Sequence, residues 1–256
     1  MIDFHCHLDL YPAALTVLAE AEKRNAFTFV VTTSPRAYQA TSRVFAGHTG
    51  IHVGLGLHPE VAVQKAQEEA LLVQLVASAA LVGEIGLDGS PRFRESLPVQ
   101  ERIFRRAARE CELQGGRVMS IHSRGAEARV LDVLEEHPRA GTPVLHWFSG
   151  SHRDLRRAID LGGWFSVGPA MLAGSKGRAL AGEMPLDRLL PETDGPFAQR
   201  AGRALMPWEA IDVALALGGL FKQSTEQVQL AFWANLKRLL PASPLESRGL
   251  PQALRC

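Results

Sequence analysis

Short apolar runs alternate with segments of helical spacing along almost the whole chain. Phe27–Thr33 is a continuous run rich in β-branched and aromatic residues, which is typical of a parallel strand buried on both faces. Ala13–Arg24 instead places Leu15, Leu18 and Ala19 along one side of a helix. Because this alternation repeats eight times, it predicts an α/β fold, a single (β/α)8 TIM barrel with an additional C-terminal helix.

The predicted elements cover most of the chain. Strands are predicted at Ile2–His5, Phe27–Thr33, Ile51–Leu57, Leu81–Ile85, Val118–His122, Val144–Trp147, Trp164–Val167 and Leu186–Glu192. Helices are predicted at Ala13–Arg24, Ala37–Phe45, Glu68–Ala79, Val99–Gln114, Glu127–Glu136, Leu155–Leu161, Ser175–Ala181, Pro207–Ala216 and Thr225–Leu239. Residues 1–240 are expected to form one barrel domain, and residues 241–256 a poorly ordered tail.

Length and composition agree with this fold. The chain has 256 residues, 46% hydrophobic and 21% charged, and a barrel of this kind takes about 250 residues. The net charge of +1 neither requires nor excludes nucleic acid as a substrate, because a local basic patch would suffice. The widely spaced Cys6, Cys111 and Cys256 fit a reducing compartment. Without a secretory signal or an apolar run near ~20 residues, we expect a cytoplasmic protein with no membrane partner.

Metal-type side chains end five of the apolar runs. His5 and His7 are two residues apart and point to one face of a strand, whereas Cys6 points to the other face, into the core. The remaining side chains of this type are Glu84, His122, His146 and Asp194. Because the same ends of successive parallel strands converge, these imidazoles and carboxylates predict a divalent-metal hydrolytic site. The alternatives are hydrogen-bonded interior histidines, a buried ion pair and a turn aspartate.

Glu84 and Asp194 are the predicted catalytic residues. Glu84 is a carboxylate inside an apolar strand, where burial is costly unless the group is paired or binds a metal. Asp194 follows the last strand and suits either a metal-bridging carboxylate or a general base that activates water.

Four further residues are candidates for contacts with the substrate. His58 ends a strand and is either a phosphate contact or a structural turn residue. Ser123 and Arg124 offer a hydroxyl and a bidentate phosphate donor directly after His122. Arg203 follows Asp194 and offers a second such donor, although a single arginine in this position is more often a solvated surface group.

Seven motifs, in order, resemble those of the TatD family of metal-dependent deoxyribonucleases, within the amidohydrolase-like barrels. They are Asp3–Asp9, Gly56–Pro59, Gly83–Asp88, Gln100 with Phe104, Ile121–Arg124, His146–Gly150 and Leu190–Pro196. The resemblance implies hydrolysis of nucleic-acid phosphodiesters, often from a 3′ end. It also implies two divalent ions, Mg²⁺ or Mn²⁺ with Zn²⁺ as the alternative, bound by His5, His7, Glu84, His122, His146 and Asp194.

The chain looks closer still to the TatD-like nucleases of the Qat anti-phage systems (the QatD group). The shared-looking stretches are Leu8–Pro12, Gly89–Pro91 and Gly168–Leu172. This resemblance implies a role in anti-phage defence, with the partner proteins of a defence operon. Gly89-Ser90 replaces the aromatic pair usual in the TatD family, and Gly202–Leu205 lacks the usual Arg-Asn. Both departures fall where substrate would lie, so they put the identity of the substrate in doubt but not the metal site.

Two other functions fit the same residues. The barrel also hosts amidohydrolases that act on small esters, lactones, amides or nucleobases, and the fold alone does not choose between these activities. Glu84 favours the nuclease in part, because relatives with a carboxylated lysine place Lys on this strand. The third reading is a subunit of a multi-protein defence complex that is active only with its partners.

Overall fold

The computed structural model of the chain describes residues 1–240 and confirms the predicted α/β class. The strands are β1 Ile2–Cys6, β2 Phe27–Val31, β3 Ile51–Gly54, β4 Leu81–Gly86, β5 Arg117–His122, β6 Gly141–His146, β7 Trp164–Val167, β8 Leu189–Pro191, β9 Gln199–Arg200 and β10 Arg203–Ala204. The helices are α1 Ala14–Arg24, α2 Pro35–Val44, α3 Glu69–Val76, α4 Leu97–Leu113, α5 Glu127–Glu136, α6 His152–Asp160, α7 Pro169–Ala173, α8 Ser175–Glu183, α9 Asp212–Phe221 and α10 Thr225–Leu239. The predicted tail, 241–256, lies outside the described residues.

The chain divides into two compact units, each with its own parallel strand pairs. The first unit comprises Met1–Val30, Phe45–His52 and the described residues from Phe165 on, and it pairs β1 with β2 and β7 with β8. The second unit comprises Val31–Val44 and Val53–Trp164, and β5 pairs in parallel with both β4 and β6. The organisation of residues 1–240 as one domain stays a prediction.

Aromatic packing fixes β1 against β2 in the first unit. Phe4 is fully buried, and its ring centroid lies 5.9 Å from that of Phe27 and 5.3 Å from that of Phe29. Such ring pairs each contribute roughly 0.5–1.5 kcal/mol beyond the burial of their area. Cys6 is buried on the same face as Phe4, with its sulfur 3.8 Å from the carbonyl oxygen of Phe29. The prediction that Cys6 belongs to the core is therefore confirmed.

Several boundaries differ from prediction by up to three residues before residue 185, and by more after it. Strand β3 ends at Gly54 instead of Leu57, and β6 begins at Gly141 instead of Val144. Strand β8 begins at Leu189 instead of Leu186, because Leu186–Arg188 forms a 3-10 turn. The helix predicted near Pro207 begins as a second 3-10 turn and becomes α-helical only at Asp212. The β9–β10 hairpin and α7 were not predicted, since two-residue strands and a five-residue helix are too short for a periodic pattern. No helix among residues 1–240 is long and apolar enough to cross a bilayer.

One buried amide ties α10 to the start of β8. The Asn235 side chain donates hydrogen bonds of 2.8 Å to the carbonyl oxygens of both Leu186 and Leu189. Asn235→Leu leaves both carbonyls without a donor, so we expect the free energy of unfolding to fall by roughly 2–4 kcal/mol. Urea unfolding measures this change, and Lys237→Leu, at an exposed position of the same helix, is the matched control. A stability equal to that of the control would contradict this role for Asn235.

Candidate metal centre

The first unit brings together His5, His7 and Asp194. His5 lies within β1 and His7 follows it directly, and both imidazoles are buried. The loop after β8 is fastened to β1 by two backbone hydrogen bonds, from Asp194 N to His5 O at 2.9 Å and from His7 N to Gly195 O at 2.8 Å. The strand end and the loop therefore hold their functional side chains on one rigid backbone frame.

The three side chains are spaced like ligands of one ion. The Nε2 atoms of His5 and His7 lie 3.7 Å and 3.8 Å from the same atom, Oδ1 of Asp194. A divalent ion about 2.0–2.2 Å from each nitrogen and oxygen requires ligand atoms only a few ångströms apart. Asp194 has a left-handed backbone with φ of 53°, a conformation that few residues except Gly, Asn and Asp adopt readily.

Asp3 supports this group by joining Thr193 to β1. Its carboxylate accepts hydrogen bonds from the Thr193 amide at 2.9 Å, the Thr193 hydroxyl at 2.6 Å and the His5 amide at 3.3 Å. Complete burial raises the pKa of Asp3 well above its ordinary value, and the hydrogen bonds from Thr193 partly oppose that rise. Asp3 thus locks the residue before Asp194 onto β1.

The second unit arranges three imidazoles around Glu84. Nε2 of His58 lies 3.2 Å from Oε2 of Glu84, and Nδ1 of His122 lies 2.8 Å from Oε1. Nε2 of His146 lies 3.4 Å from Oε1 of the same carboxylate. The arrangement follows from the topology, because β4, β5 and β6 are parallel and His122 and His146 are the last residues of their strands.

A second carboxylate, that of Asp88, lies on the other side of His122. Its Oδ2 atom is 2.8 Å from Nε2 of His122, and the Gln100 side chain bonds both the amide and the carbonyl of Asp88. Burial alone would lower the pKa of His122, but Asp88 and Glu84 outweigh it and raise that pKa to about 9. Burial opposes ionisation of Asp88, but hydrogen bonds from His122 and Ser90 lower its pKa to about 2. The two carboxylates thus favour positive charge at this point.

The residues present fit divalent metal. Ligand atoms of His58, Glu84 and His122 all lie within 4.8 Å of one another, and burial of Glu84 is costly without a paired or metal-bound partner. Imidazole nitrogen with carboxylate oxygen is a donor set for Zn²⁺, Mn²⁺ and related hydrolytic ions. A bound ion supplies Lewis-acid polarisation of a substrate oxygen and lowers the pKa of its bound water.

The residues predicted to bind substrate lie in different surroundings. The Ser123 hydroxyl is buried, and no hydrogen-bond partner for it lies among residues 1–240. Arg124 is exposed, and within the same residues no ion pair engages it. His58 contacts Glu84 and also accepts a hydrogen bond from the Glu60 amide through Nδ1. The second contact is that of a turn residue, and the contact with phosphate stays a prediction. Arg203 instead forms a two-point ion pair with Glu209, at 2.6 Å and 2.7 Å.

Sequence reasoning missed three roles. Thr193 carries the hydrogen bonds to Asp3, and Gln100 fixes the backbone of Asp88. His58 was read as a contact for phosphate or a turn residue, and its contact with Glu84 makes it a possible ligand as well. Its position after a predicted strand was the available signal. Thr193 and Gln100 lie within two of the motifs that resemble the TatD family, but those motifs gave neither residue a structural role.

Glu209 anchors the β9–β10 hairpin through Arg203 and Arg200. The hydrogen bond from Arg203 lowers the pKa of Glu209 from its ordinary 4.5 to about 2. A carboxyl group with a depressed folded-state pKa adds stability above its unfolded pKa, and this stability is lost as the pH falls. We therefore expect Glu209→Gln to lower the free energy of unfolding by roughly 1–3 kcal/mol at pH 7.

Thermal or urea unfolding from pH 7 to pH 2 tests this assignment. The difference between wild type and Glu209→Gln should be constant above pH 5 and should shrink as the pH falls toward 2. A difference that does not vary with pH would show that the ion pairs of Glu209 do not cause it.

Comparison with known proteins agrees with this site. The family described as TatD related DNase matches residues 2–241. The metal-dependent hydrolase YjjV of Escherichia coli K12 is 28% identical over 91% of this chain and 95% of its own length. A human protein named deoxyribonuclease TATDN3 is 26% identical over 77% of this chain and 78% of its own length. The crystal structure of YjjV superposes with a TM-score of 0.80 over 93% of this chain and 97% of that one, at 25% identity.

The chain belongs to the TatD-related DNase family, whose match spans nearly all of the described residues. It is a metal-dependent hydrolase. The structural likeness to YjjV also agrees with the (β/α)8 fold class predicted from the sequence.

Proposed function

We propose that the chain is a divalent-metal-dependent phosphodiesterase that hydrolyses DNA. The observation that carries this proposal is Glu84, a buried carboxylate with three imidazole nitrogens within 3.4 Å of its oxygens. Such a site suits hydrolysis of an unreactive ester, because a bound metal activates water and stabilises charge on phosphate oxygens. The family description and the name of the human relative support DNA as the substrate.

The proposed centre takes two divalent ions, Mg²⁺ or Mn²⁺, with Zn²⁺ as the alternative. Its ligands in this proposal are His5, His7, Glu84, His122, His146 and Asp194. Two of these ligands are carboxylates, and Asp194 is the more exposed of them, with 14% of its side chain accessible against 1% for Glu84. It is therefore the better placed to accept the proton of an attacking water, with Glu84 as the second catalytic carboxylate.

Four further residues are proposed to contact the phosphate of the substrate. The buried Ser123 hydroxyl donates to one phosphate oxygen, and the Arg124 guanidinium neutralises charge that develops on the phosphate. His58 also contacts the phosphate in this proposal. Arg203 is the weakest of the four candidates, because binding phosphate would require it to leave Glu209.

The finer assignment is exonucleolytic cleavage from a 3′ end, in an anti-phage defence system. The resemblance to the TatD family supports cleavage from a 3′ end. The resemblance of Leu8–Pro12, Gly89–Pro91 and Gly168–Leu172 to the TatD-like nucleases of Qat systems supports the role in defence. Partner proteins of the defence operon follow from the same resemblance, and gel filtration with those proteins tests for a complex.

A substrate panel tests the proposed function. Purified protein is loaded with Mg²⁺ or Mn²⁺ and incubated with single-stranded DNA, RNA of the same sequence, a small aryl ester and a lactone. We expect the highest kcat/KM with DNA. Faster hydrolysis of the ester or lactone would instead assign an amidohydrolase activity. Hydrolysis only after addition of the partner proteins would assign the active form to the complex.

A further inference from the structure

Phe197 is an exposed aromatic ring beside a candidate metal ligand. Its relative exposure is 61%, and it is the only aromatic residue among the exposed large hydrophobic side chains of residues 1–240. Its ring centroid lies 4.9 Å from that of His7, with the ring planes at 78°. An exposed aromatic ring beside a candidate ligand offers a flat surface on which a nucleobase of the proposed substrate can stack.

The backbone around Phe197 is fixed on both sides. The Ala198 amide donates to the carbonyl oxygen of Asp194 at 2.9 Å, which closes a tight turn around Phe197. The amide of Leu205 donates to the carbonyl of Ala198 at 3.0 Å, and β9 and β10 continue that pairing. The ring is therefore carried by a rigid segment that begins at a candidate catalytic carboxylate.

We propose that Phe197 is a specificity-determining residue that stacks on a nucleobase of the nucleotide next to the scissile phosphate. This inference rests on the proposed nuclease function. Every nucleobase offers a flat π-face, so an aromatic platform selects base-bearing substrates without selecting a base sequence. Two residues separate Phe197 from Asp194, and the Phe197 ring lies 4.9 Å from that of His7. A nucleotide whose phosphate is bound at these proposed ligands therefore has its base within reach of the ring.

Saturating the base separates stacking from every other contact. Oligothymidylate is compared with the same oligomer containing 5,6-dihydrothymine, which keeps the hydrogen-bonding groups but loses aromaticity and planarity. We expect Phe197→Ala to lower kcat/KM on oligothymidylate roughly 10-fold or more, mostly through KM, and to have little effect on the saturated oligomer. Phe197→Trp should retain the wild-type preference. Leu215→Ala, at an exposed position on α9, is the matched control and should change neither substrate.

A binding measurement provides a readout that does not depend on turnover. Asp194→Asn and the double variant Asp194→Asn, Phe197→Ala are titrated into a single-stranded oligomer that carries 2-aminopurine, whose fluorescence is quenched on stacking. We expect quenching with the single variant and its loss with the double variant. Calorimetric Mn²⁺ binding by Phe197→Ala should match wild type, which shows that His7 is undisturbed.

The outcomes separate the two claims. Quenching that depends on Phe197 without any cleavage would overturn the nuclease proposal and leave Phe197 as a base-stacking residue without a role in specificity for cleavage. If wild type cleaves both oligomers and Phe197→Ala slows cleavage of both equally, or of neither, the stacking proposal is overturned and the nuclease proposal is kept. If Asp194→Asn shows no quenching and wild type shows no cleavage, both proposals are overturned.

Discussion

Glu84→Gln is expected to lower metal-dependent hydrolysis by at least roughly 10³-fold, because several kcal/mol of transition-state stabilisation depend on the ion that Glu84 is proposed to bind. Glutamine has nearly the same shape as glutamate but removes the negative charge that His58, His122 and His146 surround. We expect weaker Mn²⁺ binding by calorimetry together with the loss of activity. The fold should persist, because the amide oxygen still accepts a hydrogen bond from an imidazole.

The matched control for this prediction is Glu69→Gln. Glu69 is also buried, at 4% exposure, but it pairs with Arg102 and Arg106 of α4. Its loss should reduce stability and leave kcat/KM and metal affinity close to wild type. Normal turnover by a correctly folded Glu84→Gln protein would refute the assigned role of Glu84.

Gly56→Ala is expected to lower the free energy of unfolding strongly and to disturb the site at Glu84. A Cβ atom at Gly56 would lie 2.0 Å from the carbonyl oxygen of Thr32 and 2.4 Å from the amide nitrogen of Glu84. Both contacts are with backbone, so the neighbouring segments have to separate. The hydrogen bonds from the Glu84 amide to Thr32 and from the Leu57 amide to Glu84 would then break. We expect a loss of roughly 3 kcal/mol or more in the free energy of unfolding, and a loss of activity as Glu84 is displaced.

Urea unfolding tests this second prediction. Gly219→Ala is the matched control, because a Cβ atom at that position of α9 meets nothing within 4 Å. Alanine there should raise stability by roughly 0.5–1 kcal/mol, since glycine is the poorer helix former. If Gly56→Ala were as stable as wild type, the segments around Glu84 would accommodate the added Cβ atom, and the prediction would be wrong.

The candidate ligands could be predicted from the sequence because each of them lies at or near the end of a predicted strand. His122 and His146 each close an apolar run, and parallel pairing alone brings both beside Glu84. The two-residue spacing of His5 and His7 predicted that they act together, and the structure places both near Asp194. Side chains outside this regularity were harder to interpret.

Asp88 illustrates that limit. It ends the Gly83–Asp88 motif, but its place in the sequence does not show that one of its oxygens contacts His122 and that the other accepts a hydrogen bond from the Ser90 amide. Gln100 reaches Asp88 across a helix and a loop, and such a contact depends on tertiary packing that no local pattern records. The Glu209 ion pairs of Arg203 escaped prediction because they depend on a hairpin of two-residue strands.

The most direct test of the central claim is cleavage of a 5′-end-labelled single-stranded DNA, with Asp194→Asn beside wild type. Each protein is incubated with Mg²⁺, Mn²⁺ or chelator, and the products are resolved at single-nucleotide resolution. We expect a ladder of stepwise shortened products for metal-loaded wild type, and no cleavage with chelator or with the variant. Intact DNA after incubation with a folded wild type that binds Mn²⁺, or an unchanged ladder from Asp194→Asn, would contradict the central claim.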